Sequence, residues 1–412
     1  MLSGVVFAVL FAQVLLYPGI PDLVVALGGT PAAWDGDVGV ILDAGKWFLT
    51  AEFVGFVLCA GLWGAFSDAT GARTPLIVAG AAVGAGGYLT LAVVPTVASM
   101  PYSGVLAIRF LQGAATIGAF SLSITTLMDL EGGGGRNMGA AGLAIGAGTA
   151  LGSPIGGVFY GVGPFVPLYA AAVVLGAAGL LATRATDRAP TPTHRTPAAV
   201  VRGLRGRPSL AVPFAFGFAD RFTAGFFALV GVAFLQARFG LDPAATGLLL
   251  GAFFLPFALL QYPLGVLSDR VGRVGPIAAG SFAYGLVIVG VAFAPTVPIA
   301  AVVMALVGAF GALCAPATLA LVQDLAAADQ RGTATGGFNV VGSLGFLAGV
   351  VGGGLLAERV GYTTAFLVAG GAELLLAVAL LPALFRLDTD RVATFADGFV
   401  PGEELLAFAR GE

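Results

Sequence analysis

Charged side chains are scarce in this 412-residue sequence, and Glu52, Arg109, Asp220, Arg221 and Glu373 stand inside long apolar runs. Arg109 lies about eight residues into its run, roughly 12 Å from the nearer end of a helix at 1.5 Å per residue. There an arginine costs about 2.5–3.5 kcal/mol unless it is paired or faces water. Glu52 lies about six residues into another run that travels in the same direction, so the two are expected at similar depth and able to pair. A carboxylate that burial pushes toward its neutral form, and a nearby guanidinium toward its charged form, can bind and release a proton near working pH. That is the chemistry of proton coupling; a structural ion pair fixing helix packing is the alternative. Asp220 is a third candidate, for coupling or substrate, although adjacent Arg221 points about 100° away on a helix and the two cannot face the same wall; a local pair near the cytoplasmic entrance is the alternative. Glu373, in the middle of the last long run, is expected to serve a helix interface or to snorkel toward the membrane surface.

Gln13, Tyr17, Gln112, Thr116, Gln261, Tyr262 and Asn339 join Arg221 as candidates for a substrate cavity. They are few among many Phe, Leu and Ala, a balance suited to an amphipathic or hydrophobic solute. Ordinary hydrogen bonding between helices is the alternative for each. Bond-making chemistry lacks its usual groups. The single histidine, His194, sits in a Pro-rich polar stretch, and Cys59 and Cys314 lie in apolar runs, where free cysteines behave as small hydrophobes. No metal site or cofactor is expected, an enzyme is excluded, and Lys46, the only lysine, lies in no phosphate-binding loop.

The elements that must carry these residues are membrane helices. Hydrophobic residues make up 58% of the chain and charged residues 10%, against roughly 25% charged in soluble domains. The apolar runs are continuous over about twenty residues, which fits helices and not the alternating segments of a barrel. Spans are expected near 3 to 27, 46 to 66, 75 to 95, 101 to 128, 138 to 160 and 164 to 183, then 211 to 236, 244 to 267, 275 to 294, 297 to 325, 333 to 356 and 362 to 385. The domain reading is therefore a six-helix bundle over 1–183, a linker over 184–210, a second bundle over 211–385 and a tail over 386–412. Arginines gather on the side shared by the linker, the tail and alternate loops, placing both termini in the cytoplasm of a cell that holds the protein in its plasma membrane. Lipid is an expected partner; nucleic acid is not.

The halves repeat. Gly64, Ser67, Asp68 and Gly71 match Gly265, Ser268, Asp269 and Gly272 at an offset of 201, and Gly113 matches Gly308 at 195. Two bundles related in this way suggest an all-α transporter with its substrate site between halves that rock against each other.

Four segments carry a resemblance to the major facilitator superfamily. The loop GAFSDATGAR, with Gly64, Asp68, Gly71 and Arg73, is similar to the signature G-x-x-x-D-R-x-G-R-[RK], although Ala69 and Ala72 stand at usually basic places. Its second copy, with Gly265, Asp269, Arg270, Gly272 and Arg273, matches better. RFLQG at 109–113 resembles an R-x-x-Q-G element, and GTALGSPIGG, with Gly148, Gly152, Pro154, Gly156 and Gly157, resembles the Gly/Pro-rich element of antiporters, with the proline one place late. PGIP at 18–21 resembles the P-x-x-P element of drug:proton antiporters. The resemblance implies twelve helices in two pseudo-symmetric bundles, a conformational latch at the two signature loops, proton coupling through Arg109, and work as a monomer. The function expected is proton-coupled efflux of a small amphipathic or hydrophobic solute by alternating access. An uptake symporter for a small metabolite and a solute receptor that transports nothing are the alternatives.

Overall fold

A computed structural model describes residues 1–30, 38–128, 134–185, 208–326 and 331–398. Among them all regular structure is helical, and the helices form twelve segments. The N-terminal half comprises α1 (Leu2–Ala26), α2 (Val38–Thr70), α3 (Thr74–Val97), α4 (Tyr102–Met128), α5 (Gly134–Tyr160) and α6 (Val166–Ala182). The C-terminal half comprises α7 (Pro208–Phe239), α8 (Pro243–Val271), α9 (Val274–Ala292), α10 (Val297–Leu325), α11 (Arg331–Val360) and α12 (Tyr362–Gly398). Eleven are long and apolar enough to cross a bilayer; α6, with 17 residues, is at the short end of the spanning range.

Local chemistry explains the departures from plain helices. In α1 the segment Tyr17–Gly19, which contains Pro18 and is followed by Pro21, is a 3-10 turn, because neither proline can donate a backbone bond. Side chains from elsewhere serve that turn: the Tyr160 hydroxyl donates to the carbonyl of Leu16 (3.0 Å), and the Gln236 amide donates to that of Pro18 (2.8 Å). Asp22 lies in the first turn of the helical piece that follows. In α7 Phe227–Gly231 is a π-helical turn. The helix α12 continues to Gly398, past the expected end at 385. The linker residues 186–207, with His194, and the tail from 399 lie outside the described residues.

The sequence repeat reappears as a packing repeat. A Cβ on Gly113 of α4 would strike the backbone of Glu52 on α2, and one on Gly308 of α10 would strike that of Phe253 on α8. Glu52 to Phe253 spans 201 residues and Gly113 to Gly308 spans 195, the two offsets of the sequence repeat. Likewise Gly80 of α3 meets the backbone at Ala119 on α4, and Gly280 of α9 meets it at Cys314 on α10. Close backbone approach through glycine is how helices associate where lipid removes the hydrophobic drive. Leu58, Leu62, Leu143, Val173, Leu248, Leu259, Val302 and Leu375 are exposed, as a bilayer allows.

Candidate functional site

The charged pair expected from helix depth meets inside the N-terminal half. Arg109 on α4 donates through Nη2 to Glu52 Oε2 on α2 at 2.5 Å, with side-chain exposures of 0% and 1%. Its Nη1 donates to Gln112 Oε1, and its guanidinium lies over the rings of Phe48 (4.6 Å) and Tyr88 (5.4 Å). Such stacking compensates a desolvated cation at low cost in flexibility. Gly113 is what brings α4 close enough to α2 for this contact. The Gln13 and Gln112 amide nitrogens and Arg109 Nε are buried here without a hydrogen-bond partner. This cluster therefore has spare donors around one carboxylate.

Other predicted residues divide. Gln13, Tyr17 and Gln112 are buried around the ion pair and do not line an open cavity. Thr116 lies at a helix contact in this conformation. Its hydroxyl donates to the carbonyls of Gln112 and Gly113, and its methyl fills the space over Gly84, so it packs α3 against α4. In the C-terminal half Asp220 and Arg221 face different directions, with side-chain exposures of 15% and 51%, yet the flexible arginine reaches back to within 3.7 Å of the carboxylate. The Arg221 stem also lies against Gly342 of α11.

Among the described residues the two halves meet from the end that carries Lys46 and Glu358 to the middle of α5 and α8. Lys46 on α2 bonds Glu358 on α11 at 3.0 Å and Asp43 at 2.8 Å. Below it Phe53 stacks on Phe346 with ring centroids 3.8 Å apart, and Tyr17 abuts the same ring. On the other flank α5 and α8 pack from Gly157 against Pro243, through Ser153 and Pro154 against Gly247 and Gly251, to Gly146 against Ala258. Continuing along the same faces, Gly64 and Gly142 would meet nothing within 4 Å if a Cβ were added, and Asn339 and Tyr262 are exposed. Gln261 is half-buried beside Tyr262. The halves thus diverge toward the end that carries the signature loops.

In those loops Gly71 and Gly272 have φ of +63° and +90°, a region that favours glycine, which explains both of these motif positions. Arg273 pairs with Asp269, with Asp324 (3.1 Å) and with Ser268 (3.1 Å), all within the C-terminal half. Arg270 is exposed, Arg73 is buried, and Gly265 lies 3.7 Å from Pro316 in terms of an added Cβ. The Asp68 side chain lies outside the described residues. The Gly/Pro element is a two-sided packing surface: Gly148, Gly152 and Gly156 receive the backbone of α1, and Gly157 and Pro154 receive α8.

Lys46, Glu358, Phe53 and Phe346 were not singled out as site residues from sequence. The one available signal was the uniqueness of Lys46, a cation that must find an anion once it is buried.

Comparison with known proteins follows the same lines. The Major Facilitator Superfamily profile matches residues 2–233 and 214–404. The tetracycline resistance protein, class G, of Vibrio anguillarum is 29% identical over 315 residues, 72% of this chain and 76% of its own length. The multidrug efflux pump LfrA of Mycolicibacterium smegmatis is 32% identical over 130 residues, 31% of this chain and 26% of that protein. The crystal structure of a D-xylose-proton symporter shares the fold at a TM-score of 0.72 and 13% identity, covering 92% of this chain and 96% of that one.

Proposed function

The chain belongs to the Major Facilitator Superfamily, a family of multi-pass membrane transporters and not of enzymes, and from that premise we propose that it exports a small amphipathic or hydrophobic solute in exchange for protons. Secondary transport of a small molecule is the family's work; direction, coupling ion and solute class are the proposal. The observation that carries it is the Glu52–Arg109 pair, a carboxylate and a guanidinium bonded at 2.5 Å in the core of a membrane bundle. Protonating Glu52 dissolves the pair's charge balance and frees Arg109 for another acceptor, so proton binding and helix packing are linked. Gln13, Tyr17 and Gln112 supply the polar lining that the exchange of partners needs. Asp220, with Arg221 at the diverging faces, is the corresponding acid of the C-terminal half. The relatives named for tetracycline resistance and multidrug efflux support export of a partly apolar compound.

In this reading the bundles 1–183 and 211–385 rock as two bodies joined by the linker 184–210, both termini are cytoplasmic, and the protein works as a monomer in the plasma membrane. The divergence at the signature loops is then the inward opening, Lys46 and Glu358 close the outer end, and the latch of Asp68, Arg73, Asp269, Arg270 and Arg273 engages when the inner end shuts. The test is flux in proteoliposomes under an imposed pH gradient, with tetracycline, tetraphenylphosphonium and a set of small metabolites as probes. Probe movement opposite to the protons, lost in Glu52→Gln and Arg109→Ala, is expected. Movement with the protons would make the chain an uptake symporter. Binding of a probe without any flux would make it a receptor.

A further inference from the structure

Outside the cluster just described, one acid is buried deeply with no role assigned to it. Glu373, in the middle of α12, is 5% exposed and accepts a 2.5 Å hydrogen bond from the Ser281 hydroxyl of α9. Among the described residues no lysine or arginine pairs with it. An ionised carboxylate so placed would lose several kcal/mol of solvation with no counter-charge among the described residues to replace it. Its burial also excludes the possibility that it reaches the bilayer surface.

The packing repeat shows that helix contact alone does not call for this acid. In the N-terminal half α6 approaches α3 where Gly179 meets Ala81, an added Cβ falling 2.9 Å from the alanine methyl. Counting 200 residues on from Ala81, the spacing of Gly80 and Gly280, gives Ser281; counting 194 on from Gly179 gives Glu373. The neighbouring contact obeys the same two offsets, since Gly176 faces Ala85 and Gly370 faces Gly285. One half thus closes the contact with two small apolar residues, and the other holds an acid and a hydroxyl there. The titratable groups within electrostatic reach of the pair are Tyr284 on α9, Cys314 on α10 and Asp220 on α7. Tyr284 is buried, and its hydroxyl sits beside that of Thr223, which is one turn along α7 from Asp220.

We propose that Glu373, held by the Ser281 hydroxyl inside the C-terminal half, is a second proton-carrying site of this transporter, binding a proton in this conformation and releasing it when the bundle rearranges. The inference rests on the proton-coupled reading above, and it places a coupling group away from the face between the halves.

The experiment uses the full chain in lipid nanodiscs and proteoliposomes. Infrared difference spectra against pH should show a protonated carboxyl band that is missing in Glu373→Gln and shifted in Ser281→Ala. Gradient-driven tetracycline flux should fall about tenfold or more in Glu373→Gln and in Ser281→Ala/Glu373→Gly, which rebuilds the contact of the other half, and recover in part in Glu373→Asp. A carboxyl band unchanged by Glu373→Gln, or driven flux in the rebuilt variant within about twofold of wild type, overturns the proposal. If the Glu373 variants do not fold, Ser281→Ala decides: a carboxyl band and a driven flux both unchanged from wild type overturn the proposal. A wild type without any gradient-driven flux defeats the export reading instead, and the carboxyl band then still decides whether Glu373 carries the proton.

Discussion

In the N-terminal half the close contact of α2 with α4 holds Glu52 against Arg109; at the same place in the C-terminal half, where α8 meets α10, the residues are Phe253 and Met304. Both contacts are closed by a glycine, Gly113 or Gly308, and both are buried. A phenylalanine and a methionine therefore satisfy this geometry, so the ion pair is not the solution that helix packing demands. Replacing a buried ion pair with well-packed apolar residues is commonly neutral or stabilising. The N-terminal half keeps a costly arrangement that its twin does without, which is what a site with chemistry to perform looks like. The α3–α6 and α9–α12 contacts show the reverse assignment, with Ala81 and Gly179 apolar and Ser281 and Glu373 polar.

The largest expected effect comes from breaking the pair on one side. Arg109→Ala should reduce gradient-driven flux about a hundredfold or more and lower stability by about 3–5 kcal/mol, because Glu52 is left buried and uncompensated; flux and thermal unfolding in detergent measure the two. Converting the site to its twin's composition, Arg109→Met with Glu52→Phe, should restore or raise stability by about 1–4 kcal/mol while leaving driven flux absent. Should the double variant transport under a gradient, the comparison fails as an account of coupling.

A symmetric test follows for the glycines. Gly113→Ala and Gly308→Ala should each cost about 1–3 kcal/mol by overpacking against a backbone, and by similar amounts. Unequal losses in melting temperature would show that the two halves do not pack alike. Next, Lys46→Met should shift the balance between the two openings by about 1–2 kcal/mol, five- to thirtyfold, away from the conformation closed at Glu358. Spin-label distances across each end of the bundle read that shift. Asp43→Asn should do least, within about 1 kcal/mol, since Asp43 is 55% exposed and water screens its contact with Lys46.

The Glu52–Arg109 meeting was legible in the sequence because depth in a membrane helix follows from counting residues. Facing was not. Helices that are apolar nearly all round carry little periodic signal for their azimuth: Thr116, a cavity candidate, fills the α3–α4 contact in this conformation, and of the two readings open for Asp220 the arginine stem bends back to form the local pair. Glu373 was expected at a helix interface and is found at one.

Composition, run length and the 201-residue repeat determined by themselves that this is a twelve-helix membrane protein built from two like halves, because a bilayer leaves a chain this apolar few other structures. Beyond the α2–α4 pair, tertiary structure alone decided which helices touch. It joined Lys46 to Glu358 across 312 positions of sequence and Ser281 to Glu373 across 92. Those pairings depend on the rotation and approach of whole helices, which arise from the sum of many small packing contacts and not from any residue that can be read singly.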